Sequence, residues 1–446
     1  MATYRIWTVG CQMNKADSLK LAAGLDRLGL IEAGADEAAD LEVLNTCAVR
    51  QHAEDRAYGR LGILNKERKS GRDFTIAVMG CMVGPRTTDL ERRFPQVDIW
   101  AQPQHFDPII ERAIELKGAR DVAQGESWAM GLLESESWEA STFATPTGPT
   151  AFVPVVHGCD KFCTYCIVPL RRGRERSRTV AAVLAEVRHF AEHGVREVTL
   201  LGQTVEAYGH DLGTGDDLAT LFEGIERTDG IVRTRFLTSY PKDMTNRIID
   251  AVADLPKVCE HFNIPVQSGD DGMLARMRRG YTLAEYEDRV ERIRYRMPDA
   301  ALATDVIVGC PGETEAEFQN TVALLERIQF DVIHVAAYSP RPGTFAHRNM
   351  PDDVPREVKS ERLQIIEAIH AQSAARINRR ALGQTLEVLV ERENNEGRAT
   401  GRTRGGQLVH FDGPGLVGQL ARVDVHEVTP WSLSGSLAGS RLLTVL

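Results

Sequence analysis

Cysteine is scarce in this chain, eight among 446 residues, and that scarcity excludes a disulfide-stapled scaffold and points to a reducing, cytoplasmic compartment. No apolar run approaches the ~18 residues of a membrane span, and the opening Met-Ala-Thr-Tyr-Arg-Ile-Trp enters a strand with no charged-then-apolar signal region. A soluble, unprocessed protein with no membrane partner is expected. Low-complexity segments are absent too. So is any excess of positive charge: the net charge is −10, which excludes indiscriminate nucleic-acid binding and leaves room only for a local basic surface. The length predicts about three domains of roughly 150 residues each.

The cysteines that are present are not scattered evenly. Cys159, Cys163 and Cys166 form a C-x3-C-x2-C run in Gly-Cys-Asp-Lys-Phe-Cys-Thr-Tyr-Cys. Three thiolates are one short of a closed iron–sulfur or zinc site, so one metal position is left open. A zinc knuckle lacking its fourth ligand, or three unrelated thiols, are the plainer readings. The apolar segment Phe152 to Val156 precedes the run and puts it on a loop at the carboxyl end of a buried strand, where α/β folds keep their chemistry.

Hydrophobic alternation divides the chain into an N-terminal part (1–133), a polar linker rich in Ser, Thr, Glu and Pro (134–150), a central part (151–381) and a small C-terminal part (382–446). The first alternates strand-like runs (Tyr4 to Val9, Leu41 to Leu44, Phe74 to Met79) with helical stretches from Asp17, from Ala48 and around Phe106 to Leu116, which predicts a parallel α/β sheet. The second repeats strand then helix six times, with strands near 152–156, 195–201, 231–238, 260–266, 301–309 and 331–338. That is the pattern of an open, partial (β/α)6 barrel. A polar helix, Arg356 to Arg380, leads to the third part, whose Val-, Gly- and Thr-rich segments (Leu386 to Val390, Gln407 to Phe411, Gly418 to Val425) predict a small antiparallel β-barrel.

This topology gives three further cysteines a common address. Cys11, Cys47 and Cys81 each follow one of the N-terminal strands, so all three fall on the carboxyl edge of one parallel sheet, the ligand-binding edge of open α/β folds. Singly, each reads as a small buried hydrophobe; together they make a second three-thiolate site with one iron open. Cys259 and Cys310 lack such partners and read as core or pocket-lining thiols.

Gly10-Cys-Gln-Met-Asn, Asn45-Thr-Cys-Ala-Val-Arg, Gly80-Cys-Met, the C-x3-C-x2-C run and Tyr338-Ser-Pro-Arg-Pro-Gly-Thr resemble, in order and spacing, the radical S-adenosylmethionine (SAM) methylthiotransferases, over residues 3 to about 440. Within that family the segments are most similar to the MiaB type, which adds a methylthio group to carbon 2 of N6-isopentenyladenosine at position 37 of tRNA. The resemblance implies a 4Fe-4S cluster on Cys159, Cys163 and Cys166, whose open iron is chelated by the amino and carboxylate groups of SAM and whose electron generates a 5′-deoxyadenosyl radical. It also implies a second 4Fe-4S cluster on Cys11, Cys47 and Cys81, where sulfur is methylated by a separate SAM. The anticodon loop of tRNA, a low-potential electron donor such as flavodoxin or ferredoxin, a monomeric state and a C-terminal TRAM domain that binds RNA are implied likewise. The chemistry agrees, since carbon 2 of adenine bears an unactivated hydrogen that side-chain bases and nucleophiles do not replace at neutral pH. Methylthiolation of threonylcarbamoyladenosine or of a ribosomal-protein aspartate is the runner-up within enzymes, and a non-catalytic iron–sulfur RNA carrier the alternative outside them.

Gln203, Ser239 and Gln267 end barrel strands and are expected at the SAM and substrate pocket, although each suits a cap or turn equally well. Thr204, Tyr240, Asn263, Asp270 and Cys310 depart from the family pattern, in which Asn, His, His, Ser and Phe are expected. The basic run from Arg171 to Arg178 follows the cysteine loop. Arg171, Arg172 and Arg174 are expected to contact RNA phosphates, with a solvated charged face as the plain alternative. From Leu382 onward six arginines face seven acidic residues, so RNA binding there rests on the resemblance. His410, Phe411 and Trp431 are read either as base-stacking groups or as core.

Overall fold

The computed structural model describes residues 1–48, 51–117 and 143–439. Val49 and Arg50, residues 134–142 of the predicted linker and the tail beyond 439 lie outside the described residues. Three β systems follow one another. The first is a five-stranded parallel sheet of β1 (Thr3–Thr8), β2 (Ile31–Glu32), β3 (Leu41–Thr46), β4 (Thr75–Gly80) and β5 (Ile99–Ala101), in the order β2-β1-β3-β4-β5. Every residue of β3 and β4 is buried, as expected for central parallel strands covered on both faces. Even Glu42 is inside. It is held there by Arg5, Arg60 and Arg72, at 3.0, 3.3 and 3.2 Å, which satisfies a charge that could not otherwise be buried.

The second system begins with β6 (Thr150–Pro154) and a short antiparallel pair, β7 (Val156–His157) and β8 (Arg176–Ser177). Then come β9 (Glu197–Leu201), β10 (Arg233–Leu237), β11 (His261–Asn263), β12 (Ala301–Val308) and β13 (Val332–Ala337), all parallel. They form two three-stranded sheets, β10-β9-β6 and β11-β12-β13, joined through a bridge between Thr234 and Val258. The result is the six-stranded open barrel that the alternation predicts. Its helices start where the sequence signals a start: Thr282 with Glu285 and Thr314 with Glu317 are reciprocal capping boxes.

Helix Arg356–Arg379 leads to β14 (Thr385–Glu393), β15 (Arg398–Arg402), β16 (Leu408–Asp412), β17 (Leu420–Val428) and β18 (Leu433–Leu437), which close into a small barrel. Phe411 is in its core, while Trp431 is 60% exposed and packs on His370. Among the described residues no helix is long and apolar enough to cross a membrane.

Candidate active site with two cysteine triads

Cys11, Cys47 and Cys81 stand just beyond β1, β3 and β4, three adjacent strands of one sheet. A Cβ on Gly10 would lie 2.7 Å from the Cβ of Cys47, so the Cys11 turn rests directly against Cys47. The Cys81 amide donates to the Thr46 carbonyl oxygen at 2.9 Å. Gly80 makes that approach possible: its φ is +94°, and a Cβ there would sit 2.4 Å from the Thr46 oxygen. Beneath the triad, buried Asn14 donates to Asn45 Oδ1 at 2.7 Å and to the Thr46 carbonyl oxygen at 2.9 Å, and the Cys11 thiol donates to Asn14 Oδ1 at 3.2 Å. Helix Gln12–Arg27 therefore starts at Cys11 rather than near Asp17. Burial pushes the Cys81 thiol pKa up, Arg172 opposes the rise and neighbouring Cys11 adds to it.

The second triad lies on a loop whose neck is closed by the β7–β8 pair and by the Cys159 amide on the Gly173 carbonyl oxygen, at 3.1 Å. Gly158 is obligatory at that neck, with φ +71° and a notional Cβ 1.9 Å from the Arg174 oxygen. The loop is pinned to the barrel through the Thr164 amide on Met277 O at 3.0 Å and the Ala346 amide on Thr164 O at 2.8 Å. Cys159 Sγ is 3.4 Å from Thr204 Oγ1, and Arg279 Nη1 donates to Cys163 Sγ at 3.4 Å. Burial, then the neighbouring Cys163, push the Cys166 thiol up to about 12. The same burial raises Cys159, against hydrogen bonds from Thr204 and the Lys161 amide. Thr204 and Arg279 were not singled out as thiol partners by the sequence; only Thr204's place beyond β9 hinted at its position.

Three polar side chains stand at the carboxyl ends of barrel strands. Gln203 follows β9, Ser239 follows β10 and Gln267 lies beyond β11. The Oε1 atoms of Gln203 and Gln267 are buried with no hydrogen-bond partner among the described residues. Thr238 and Gln267 hold left-handed backbone, φ +72° and +71°, a conformation uncommon for non-glycine residues. Glu206, missed in the sequence, accepts the Tyr240 amide at 3.1 Å, and burial pushes its carboxyl up to about 8. Two of the departures from the family pattern are structural: Asp270 caps helix Asp271–Arg276 through the Met273 amide, and Asn263 donates to Asp305 at 3.1 Å. Tyr240 lies under the cations of Lys161 and Arg279. Cys310 packs with Met273, Met277 and Tyr338 as a core thiol.

The basic run requires a correction. Arg172 is not on the surface: its side chain is 1% exposed, and it binds Asp17 at 2.9 Å and Cys81 Sγ at 3.2 Å. RNA phosphates do not reach it. Burial opposes its charge, but Cys81 and Asp17 outweigh burial and hold the guanidinium protonated. Arg178 is likewise inside, on Glu186. Arg171 is half-buried against Gly84, whereas Arg174 is 73% exposed and paired with Asp160 at 2.7 Å. A second contact between the parts comes from Arg341, whose Nη1 meets Gln51 at 3.0 Å and Glu54 at 2.9 Å.

The chain is similar to known proteins over nearly its whole length. Residues 3–102 match Uncharacterized protein family UPF0004, residues 153–325 the radical SAM superfamily and residues 379–438 the TRAM domain. The tRNA-2-methylthio-N(6)-dimethylallyladenosine synthase of Chloroflexus aurantiacus is 43% identical over 97% of this chain and 91% of its own length. The enzyme of that name from Dehalococcoides mccartyi (strain CBDB1) is 41% identical over 98% of this chain and 99% of its own. The chain belongs to the radical SAM methylthiotransferase family. Among solved structures, the radical SAM methyltransferase TsrM from Kitasatospora setae superposes with a TM-score of 0.57, at 15% identity, over 78% of this chain and 77% of that one. This likeness bears on the fold alone.

Membership in the radical SAM superfamily implies SAM and a 4Fe-4S cluster, and the C-x3-C-x2-C residues fit that group. Their donors are all sulfur, which selects iron–sulfur chemistry over hard cations. Cys159 and Cys163 are buried, and Cys163 disfavours ionisation of both Cys159 and Cys166, an arrangement that a cationic cluster relieves.

Proposed function

We propose that this methylthiotransferase adds a methylthio group to carbon 2 of N6-isopentenyladenosine at position 37 of tRNA, with 4Fe-4S clusters on both triads. The identity of 43% to a synthase of that name, over nearly the whole of both chains, is the observation that carries the reading. When bound, the cluster on Cys159, Cys163 and Cys166 supplies an electron for reductive cleavage of SAM, and the cluster on Cys11, Cys47 and Cys81 supplies the site for sulfur. The chain's own residues do the positioning. Arg279 and Thr204 orient Cys163 and Cys159. The unpaired Oε1 atoms of Gln203 and Gln267 accept hydrogen bonds from SAM or the adenine amino edge, and Ser239 lines the same wall. Glu206 keeps its proton at neutral pH, so no carboxylate repels the ligand there. Arg174, with Arg171 behind it, meets the phosphates of the anticodon loop, and the C-terminal barrel extends the RNA surface. The protein works as a cytoplasmic monomer, reduced by a low-potential donor of the flavodoxin or ferredoxin kind.

Nucleoside mass spectrometry of tRNA from a deletion strain tests this. The methylthio derivative of isopentenyladenosine should vanish while isopentenyladenosine accumulates. Loss of methylthio-threonylcarbamoyladenosine instead, with the isopentenyl nucleoside unchanged, would reject the substrate assignment.

A further inference from the structure

Arg172 leaves its run of surface charge and ends at the N-terminal triad, on Cys81. It stands in the same loop as Cys159, Cys163 and Cys166, on the short helix Val168–Arg172, and Ile167 at that helix's start packs with Ala48 and Cys81. One nitrogen of the guanidinium, Nε, donates to Cys81 Sγ at 3.2 Å, and Nη2 donates to Asp17 Oδ2 at 2.9 Å. The third, Nη1, is buried with no partner among the described residues. A guanidinium carries five donors in a rigid plane and no acceptor. A buried cation with a spare donor beside Cys81, and with Cys11 near enough to act on its charge, has room for a further anionic acceptor, and Asp17 Oδ1 in the same ion pair is likewise without a partner among the described residues.

We propose that Arg172 is a positioning residue for the auxiliary site, giving Nε–H to the Cys81 sulfur and Nη1–H to an anionic sulfur that the occupied site brings, while Asp17 fixes the plane of the fork. This rests on the reading that Cys11, Cys47 and Cys81 hold a second cluster. Two consequences follow. N–H···S bonds stabilise the more negative, reduced state of an iron–sulfur centre, so Arg172 raises its potential. Because the donor belongs to the loop of the other triad, the same contact fixes the two triads relative to each other. Asp17 makes the arrangement specific to arginine: a lysine could keep the ion pair, but one ammonium cannot also present a coplanar donor to Cys81.

The test uses full-length, anaerobically reconstituted protein. Iron and sulfide analysis of the unaltered chain comes first; a single cluster overturns the two-site reading and this proposal with it. Given two clusters, Arg172→Lys is made in a Cys159/Cys163/Cys166→Ala background that isolates the auxiliary cluster, which is followed by redox titration and by resonance Raman in H2O and D2O. The expected result is a lower midpoint potential and loss of a deuterium-sensitive Fe–S stretch, with iron content kept. Loss of this cluster alone, with the fold intact by circular dichroism, supports the proposal equally. An unchanged potential and Raman spectrum overturn it. Asp17→Asn with Arg172→Met, which removes both charges together, guards against a folding artefact: if that pair restores the native potential, Arg172 is a structural weld and no more.

Discussion

The guanidinium of Arg233, with none of its side chain exposed, donates to the main-chain oxygen of Arg402 at 2.7 Å and to Glu387 Oε1 at 2.8 Å. Arg235 adds bonds to the oxygens of Arg404 at 2.7 Å and Thr403 at 2.6 Å, and Arg404 returns to Glu260 and Val258. Arg233, Glu260 and His261 lie at the amino ends of barrel strands, so the C-terminal barrel is seated on the face opposite the cysteines.

Arg233→Met should cost about 2–3 kcal/mol, because buried carbonyls lose a charged donor. Amide hydrogen exchange should rise in residues 385–437 and stay unchanged around the cysteine loops. Uniform protection in both regions would mean that the C-terminal barrel is held by its apolar contacts instead.

Gly80→Ala tests the turn that delivers Cys81. A Cβ at 2.4 Å from the Thr46 oxygen, on backbone of φ +94°, forces β3 and β4 apart, at a cost of about 2–3 kcal/mol. The variant should bind about half the iron of the unaltered chain. Gly62→Ala, with nothing within 4 Å of its notional Cβ, is the control and should be neutral or slightly stabilising.

The N-terminal and central strands were legible because apolar runs ended in Gly-Cys, Gly-Gln or Thr-Ser at the places where the backbone turns. β2 and β5 were missed because two or three residues, Ile31–Glu32 and Ile99–Ala101, carry no period. β15 and β18 were missed for a different reason. Their inward positions include Gly401 and Gly435, where a Cβ would meet Leu389 O at 2.1 Å and Val423 Cγ1 at 2.4 Å; a barrel this narrow has no room for the large apolar residues that mark a strand. The triads were legible as topology, but Arg172 was not. Its partner Asp17 is 155 residues away, and a run of arginines looks the same whether it faces water or a buried carboxylate.

For RNA, an exposed arginine such as Arg174 is the cleaner probe. Arg174→Ala should weaken tRNA binding and reduce the slope of log affinity against log salt by about 1, as one phosphate contact is lost. Arg172→Ala should instead destabilise the fold by about 3–5 kcal/mol, since it strands Asp17 in the interior. An unchanged salt slope for Arg174→Ala would place the RNA track elsewhere.

Acid should loosen the seat of the C-terminal barrel. His261 lies against Gly406 with Nδ1 unpartnered among the described residues; burial, then Arg235, His334 and Arg402, lower its pKa from 6.5 to about 3. The folded chain thus keeps it neutral, whereas the unfolded chain takes up a proton below 6.5. The contribution is whole above pH 6.5 and is lost as the pH falls towards 3, about 1–2 kcal/mol by pH 5. Denaturant titrations of His261→Gln should show a flatter acid limb, and an identical limb would exclude this group.

The two triads can be separated functionally, provided that Arg172 is not stranded in the process. Cys11→Ala, Cys47→Ala and Cys81→Ser together remove the auxiliary thiolates but leave a hydroxyl to accept from Arg172 Nε, avoiding the 1–3 kcal/mol that an orphaned buried donor costs, to order of magnitude. The Cys159, Cys163 and Cys166 loop keeps its own anchors, the Gly173, Met277 and Thr164 hydrogen bonds, so its cluster should remain. Reductive cleavage of SAM to 5′-deoxyadenosine should persist at a rate within a few-fold of the unaltered chain, while methylthiolated nucleoside disappears. If product still forms, the N-terminal cysteines are core residues. If SAM cleavage is lost although the barrel cluster is intact by iron analysis, the second cluster acts on the first through the Arg172 loop rather than only after it.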